Sequence, residues 1–135
     1  MILLDTTVLV YAVGEDHPLR RPARAIVADI SAGKVRAHTT HEVIQEFAYV
    51  RARRRDREDA TRLALAFVDL LGPLVPINTE HLSVGLEIWR SRPALGSFDA
   101  VLASVALSVG CELISSDQAF ATVPGLVWRN LAEVA

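Results

Sequence analysis

The chain has 135 residues, enough to bury one sizeable core and short for two domains. Hydrophobic residues make up 51% of it, but charges interrupt every apolar run before it reaches the ~18 residues that a membrane span needs, which points to a globular chain with no membrane role. A net charge of −2 lacks the basic surplus of many nucleic-acid binders, and a single cysteine, Cys111, excludes an internal disulfide or a cysteine-based zinc site within one chain.

Met1 passes straight into Ile2-Leu3-Leu4-Asp5, without the basic start and cleavage site of a signal peptide, so the cytoplasm is the expected compartment. The Ile2-Leu3-Leu4 run reads as a buried strand, ended by Asp5-Thr6-Thr7 and followed by a short helix through Val8 to Ala12. Arg24 to Ala32 reads as a helix stopped by Gly33, and Val35 to His38 as a second strand. Thr39 or Thr40 caps the next helix, in which Val43, Ile44, Phe47, Ala48 and Val50 recur at helical spacing and Glu42 and Glu46 share a face. That helix runs into an arginine cluster of Arg51, Arg53, Arg54, Arg55 and Arg57, and a second basic group comprises Arg20, Arg21 and Arg24.

A helix from about Glu58 to Leu71 stops at Gly72-Pro73, and Leu74 to Ile77 reads as a third strand. Thr79 is the expected cap of a helix through about Arg90, and Ser97 that of an almost wholly apolar helix, Phe98 to Val109, that Gly110 ends. Glu112 to Ser115 is a strand leading to Asp117, and Leu126 to Asn130 supplies a final edge strand. Short apolar strands separated by helices call for a three-layer α/β/α sandwich built on a short parallel sheet, formed as a single domain over 1–135. Ligands of such sheets collect outside the carboxyl ends of the strands, where Asp5 and Asp117 both fall.

Asp5 is the only charge between Met1 and Val13, and Asp99 sits inside Phe98-Asp99-Ala100-Val101-Leu102-Ala103. An unpaired carboxylate in such surroundings is costly, so each needs a partner. Singly, the acids have ordinary readings. Asp5 can cap the first helix, Asp99 can complement a helix dipole, Asp117 can form an Asx turn, and Glu46 can pair with Arg53 or Arg54. Jointly, two acids at the sheet edge and two on helices that reach it would repel one another unless a cation lay between them. Oxygen-only ligation suits Mg²⁺ or Mn²⁺. His17, His38, His41 and His81 are scattered and form no competing ligand set. An acidic metal site beside an arginine cluster is the equipment for hydrolysing a polyanion, with Arg51, Arg53, Arg54 and Arg55 as the candidate phosphate binders. The same run can equally be a solvated helix end or a contact for a protein partner.

These segments together resemble the PIN-domain nucleases, and among them the VapC toxins of bacterial and archaeal toxin–antitoxin pairs. The first matching motif is Ile2-Leu3-Leu4-Asp5-Thr6-Thr7-Val8-Leu9, the second Thr40 to Phe47, the third Phe98 to Ala103 and the fourth Leu113-Ile114-Ser115-Ser116-Asp117-Gln118-Ala119-Phe120. Many family members carry Ser or Asn where Thr7 stands. The resemblance assigns the acid of the second motif to Glu46, with Glu42 as the alternative. It implies Mg²⁺- or Mn²⁺-dependent cleavage of RNA by Asp5, Glu46, Asp99 and Asp117, with Thr6 and Ser115 orienting carboxylates or water. It also implies a homodimer, a cognate VapB-type antitoxin whose C-terminal segment covers the acidic groove, and a larger toxin–antitoxin assembly. Attack by water predicts products with 5′-phosphate and 3′-hydroxyl ends. A receiver-like domain would need a late lysine, whereas Lys34 is the only one, and a haloacid-dehalogenase-like phosphatase would need an aspartate where Thr7 stands. The alternative from another class is a non-catalytic α/β binding module whose acidic groove receives a basic partner segment.

Overall fold

Ile2-Leu3-Leu4 is buried throughout and forms the central strand β1 (Ile2–Leu4) of the sheet, in a computed structural model that describes residues 1–134. On one side β1 pairs in parallel with β2 (Ala37–His38), and on the other with β3 (Glu112–Ser115). The strand β4 (Trp128–Asn130) adds to β3, again in parallel, so the order is β2-β1-β3-β4. The chain leaves β1 toward β2 and later returns to fill positions on β1's other side, which makes the carboxyl ends of β1 and β3 the point where strand order reverses. Leu3, Leu4, Leu113 and Ile114 are completely buried, as strands covered on both faces require. The architecture is a three-layer α/β/α fold around a four-stranded parallel sheet.

Six α-helices surround the sheet among the described residues. After α1 (Thr6–Val13), α2 (Arg20–Ser31) starts four residues before the expected Arg24, because Pro22 lies in its first turn, where a missing N–H is harmless. The two threonines before α3 (His41–Arg54) divide the labour. Thr40 Oγ1 accepts from Val43 N at 3.2 Å as the cap, and Thr39 Oγ1 donates to the Leu4 carbonyl at 2.7 Å, pinning α3's entry to the end of β1. The helix α4 (Arg57–Leu71) follows with Asp56 as its cap.

The expected strand over Leu74 to Ile77 does not form. Val75 N donates to the Thr39 carbonyl at 2.9 Å and a lone bridge joins Thr40 to Val75, but Pro73 and Pro76 have no N–H with which to extend a ladder. The cap of α5 (Thr79–Ser91) is Asn78 rather than Thr79: Asn78 Oδ1 accepts from His81 N at 2.8 Å, and His81 Nδ1 accepts from Asn78 N at 3.1 Å. Gly96, not Ser97, occupies the cap position of α6 (Ser97–Val109), whose run from Ala100 to Ala106 is buried. The helix ends at Gly110, whose φ of 74° is left-handed and suits glycine.

Where α5 crosses α6, Gly85 is buried against Val101, and a Cβ there would stand 2.6 Å from Val101 Cα. The obstacle is backbone, so α5 must move. We therefore expect Gly85→Ala to lower stability by about 1–3 kcal/mol, read from the urea midpoint at unchanged slope. An unaltered midpoint would show that α5 is free to shift.

Candidate active site

Four elements deliver four carboxylates to the reversal point of the sheet. Asp5 follows β1, Asp117 follows β3, Glu46 lies in α3, and Asp99 lies in the first turn of α6. Asp5 stands at the N-cap position of α1 but makes no side-chain cap hydrogen bond. Its carboxylate is tied across the sheet instead. Ser115 Oγ donates to Asp5 Oδ2 at 2.6 Å, and Thr7 Oγ1 donates to the same oxygen at 3.1 Å. Ser115 Oγ in turn accepts from Asp117 N at 3.0 Å, and Thr7 Oγ1 accepts from Ser116 N at 3.1 Å. These links fix the end of β3 to the end of β1, and they leave one Asp5 oxygen unclaimed by the hydroxyls.

Asp5 is only 4% exposed, and burial pushes its pKa up from the ordinary carboxylate value despite the opposing hydrogen bond from Ser115 and the nearby hydroxyl and amide groups of Thr6 and Thr7. Desolvation also raises Glu46, followed by the charge of Asp5, while a hydrogen bond from Thr6 works in the other direction. Glu46 therefore faces Asp5 and Thr6 rather than forming an ion pair with Arg53 or Arg54. Asp99 is the most displaced, pushed up to about 7 by desolvation first and then by Asp5, Asp117 and Glu46 in that order. A hydrogen bond to Asp117 adds to the rise, as it does when the protonated carboxyl is the donor. Asp117 keeps the Asx role that its neighbourhood suggested, with Oδ1 accepting from Ala119 N at 2.9 Å.

A cavity of about 270 Å³ opens over this cluster, lined by Asp5, Thr6, Glu42, Glu46 and Asp99 on its polar side and by Ile77, Leu82, Leu86 and Leu102 on its apolar side. The donor set is oxygen only and suits a hard divalent cation. Among the described residues no group of three or more His, Cys, Asp or Glu side chains is arranged to hold a metal ion by itself. Mg²⁺ binding does not require one, since this ion characteristically takes one or two carboxylates and completes its shell with water and substrate phosphate. Glu42 is exposed at the cavity wall, one turn before Glu46.

The arginines have unequal surroundings. Arg51 Nε meets Asp59 Oδ2 at 2.5 Å and its Nη1 donates to the Val13 carbonyl at 3.1 Å, so a 13% exposed side chain fastens α1, α3 and α4 together. Arg51 thus serves the fold, while Arg53, Arg54 and Arg55 stay exposed. Thr7 was the hydroxyl that sequence reasoning passed over in favour of Thr6. The Asp5-x-Thr7 spacing carried the signal, because a hydroxyl two residues from an aspartate reaches back to it readily.

The PIN domain family model matches residues 2–126. Ribonuclease VapC7 of Mycobacterium tuberculosis is 49% identical over 129 residues, covering 94% of this chain and 89% of the relative. The chain belongs to the PIN-domain family, on its VapC branch. Among solved structures, VapBC2 from Rickettsia felis bound to a promoter DNA fragment superposes with a TM-score of 0.73 at 18% identity, over 96% of this chain and 98% of that one. Mycobacterium tuberculosis VapC20, a toxin that cleaves the sarcin-ricin loop, gives 0.75 at 17% identity, over 94% and 97%. Both likenesses show the shared fold.

Raised carboxyl pKa values have a definite consequence for the metal-free protein. The folded state binds more protons than the unfolded state between the ordinary carboxylate value and about 7, so stability falls as pH rises through that window. We expect the urea midpoint of chelator-treated protein to decline from pH 5 to pH 8, and Asp99→Asn to flatten the decline and raise the midpoint at pH 8. A midpoint that rises with pH in both proteins would contradict the acid cluster.

Proposed function

We propose that this chain, acting as one nuclease domain, is a divalent-metal-dependent endoribonuclease and the toxin of a toxin–antitoxin pair. The observation that carries the reading is the raised pKa of Asp99, surrounded by Asp5, Asp117 and Glu46. Asp5, Glu46 and Asp99, all raised first by desolvation and the latter two also by neighbouring acids, are stable together as carboxylates only around a cation. The ribonuclease names of VapC relatives, including one 49% identical, support RNA as the substrate.

Asp5, Glu46, Asp99 and Asp117 would hold Mg²⁺, or Mn²⁺ in its place. When bound, such an ion polarises a phosphoryl oxygen and lowers the pKa of water. Ser115 and Thr7 hold Asp5 Oδ2 in one orientation, so the carboxylate would hold a cation with little reorganisation. Thr6 lies beside Glu46 and favours its charged form. Asp99, raised to about 7, would hold a cation as the carboxylate and so would release its proton on binding one. Exposed Arg53, Arg54 and Arg55 draw the phosphate backbone toward the groove. A water oxygen then displaces the 3′ oxygen at phosphorus, which leaves a 5′-phosphate and a 3′-hydroxyl. The complex of VapBC2 with promoter DNA supports a VapB-type antitoxin as partner and a larger toxin–antitoxin assembly. The active form is a cytoplasmic homodimer, and no described helix is long and apolar enough to cross a membrane.

Sequencing RNA 5′ ends after brief production of the wild-type chain and of Asp99→Asn tests the activity. New 5′-phosphate ends should appear only with the wild type, and purified protein should lose cleavage in excess chelator and regain it with Mg²⁺ or Mn²⁺. Identical 5′ ends from both proteins, 2′,3′-cyclic phosphate products, or full activity in chelator would refute the mechanism. Ser115→Ala, which removes one of the two hydroxyl donors to Asp5 Oδ2 and the acceptor of the Asp117 amide, should reduce cleavage by about 10–100-fold while the protein stays folded. Wild-type rates in that variant would remove Ser115 from the machinery.

A further inference from the structure

We propose that Phe98 and Tyr49 form a stacking platform for the nucleobases that flank the bond cut at the acid cluster, an inference that rests on the ribonuclease reading. Phe98 precedes Asp99 in the first turn of a helix whose next seven residues are buried, yet its ring is 76% exposed. Tyr49, on α3, is 62% exposed. The two rings line one cavity of about 510 Å³, which is shared with Glu46 and Asp99 and has Gln45 and Ser97 in its wall. That volume lies within the ~300–1,000 Å³ typical of small-molecule sites. The exposed ring offers a flat apolar face beside the charged cluster, and a base attached to a phosphate at the acids arrives there with its π-face available.

The far side of Tyr49 strengthens the assignment to nucleic acid. Arg53 Nη1 donates to Tyr49 Oη at 2.9 Å, and the guanidinium carbon lies 5.7 Å from the centre of the Tyr49 ring. Glu46, Tyr49 and Arg53 are spaced along one helix, so the surface passes from carboxylates through aromatics to exposed cations within about 10 Å of helix axis. Single-stranded nucleic-acid channels combine such stacking rings with a positive track for the backbone. The side-chain amide of Gln45 and the hydroxyl of Ser97 supply the polar edge that could distinguish one stacked base from another.

The test is equilibrium binding of a fluorescent 12-nucleotide single-stranded RNA, and of an abasic oligonucleotide of equal length, to Asp99→Asn protein with Mg²⁺ present. Adding Phe98→Leu should weaken RNA binding by about 5–150-fold, the range that one lost stacking contact covers. It should leave abasic binding and the salt dependence unchanged, and Phe98→Trp should keep the wild-type affinity. Arg53→Ala should instead lower the salt dependence for both ligands. Equal RNA affinity in the Phe98→Leu and parent proteins overturns the platform and leaves the ribonuclease reading intact. Absence of RNA binding by every variant, and by the Asp99-intact chain with Ca²⁺ in place of Mg²⁺, overturns both. Loss of antitoxin binding with RNA affinity unchanged would assign the rings to a protein contact and overturn the proposal as well.

Discussion

Burying the Asp5 carboxylate at the end of the central strand is the constraint from which much of the structure follows. An acid 4% exposed in an apolar sheet must be hydrogen-bonded, protonated or countered by a cation. Ser115 and Thr7 bring it two hydroxyl donors, one from the neighbouring strand and one from the helix that begins beside it. Their own acceptor capacity then orders the Ser116 and Asp117 amides, so one buried charge organises both strand ends. The same group raises the pKa of Glu46 and of Asp99. Fold and chemistry meet at this carboxylate, and stability is given up there in exchange for a site that favours positive charge.

The surroundings keep that arrangement rigid. Close approach at Gly85 lets α5 lie against α6, the helix that carries Asp99. Thr39 anchors the start of α3 to the Leu4 carbonyl, next to Asp5, and Arg51 fastens its far end to α1 and α4. Glu46 is therefore held from both ends of its helix. Mobile carboxylates would turn outward to water, whereas these are kept together at an electrostatic cost that ligand binding relieves.

Much of this was legible in the sequence where the cause was local. A carboxylate just after an all-apolar strand, as at Asp5, marks the strand's end, and the glycine at Gly110 marks a helix stop by its backbone alone. The parallel sheet followed from strands too uniformly apolar to have a wet face. Features that depend on competition or on distant neighbours were less legible. Asn78 takes the cap expected of Thr79 because His81 reciprocates, and Leu74 to Ile77 fails as a strand because its prolines interrupt the ladder. Arg51 resembles its exposed neighbours until α4 folds back and presents Asp59. Likewise, the exposure of Phe98 cannot be read from a helix that is buried from Ala100 to Ala106, because it depends on where α3 and the loop before α6 leave an opening.

The central claim is that Asp5, Glu46 and Asp99 hold protons that a divalent cation displaces. Calorimetric titration of metal-free protein with Mn²⁺ at pH 6.5, repeated in buffers of different ionisation enthalpy, measures that exchange directly. Saturable binding should release protons from the wild-type chain, and the Asp99→Asn variant should bind more weakly and release fewer. Binding without proton release, or binding indistinguishable between the two proteins, would contradict a metal centre built around Asp99.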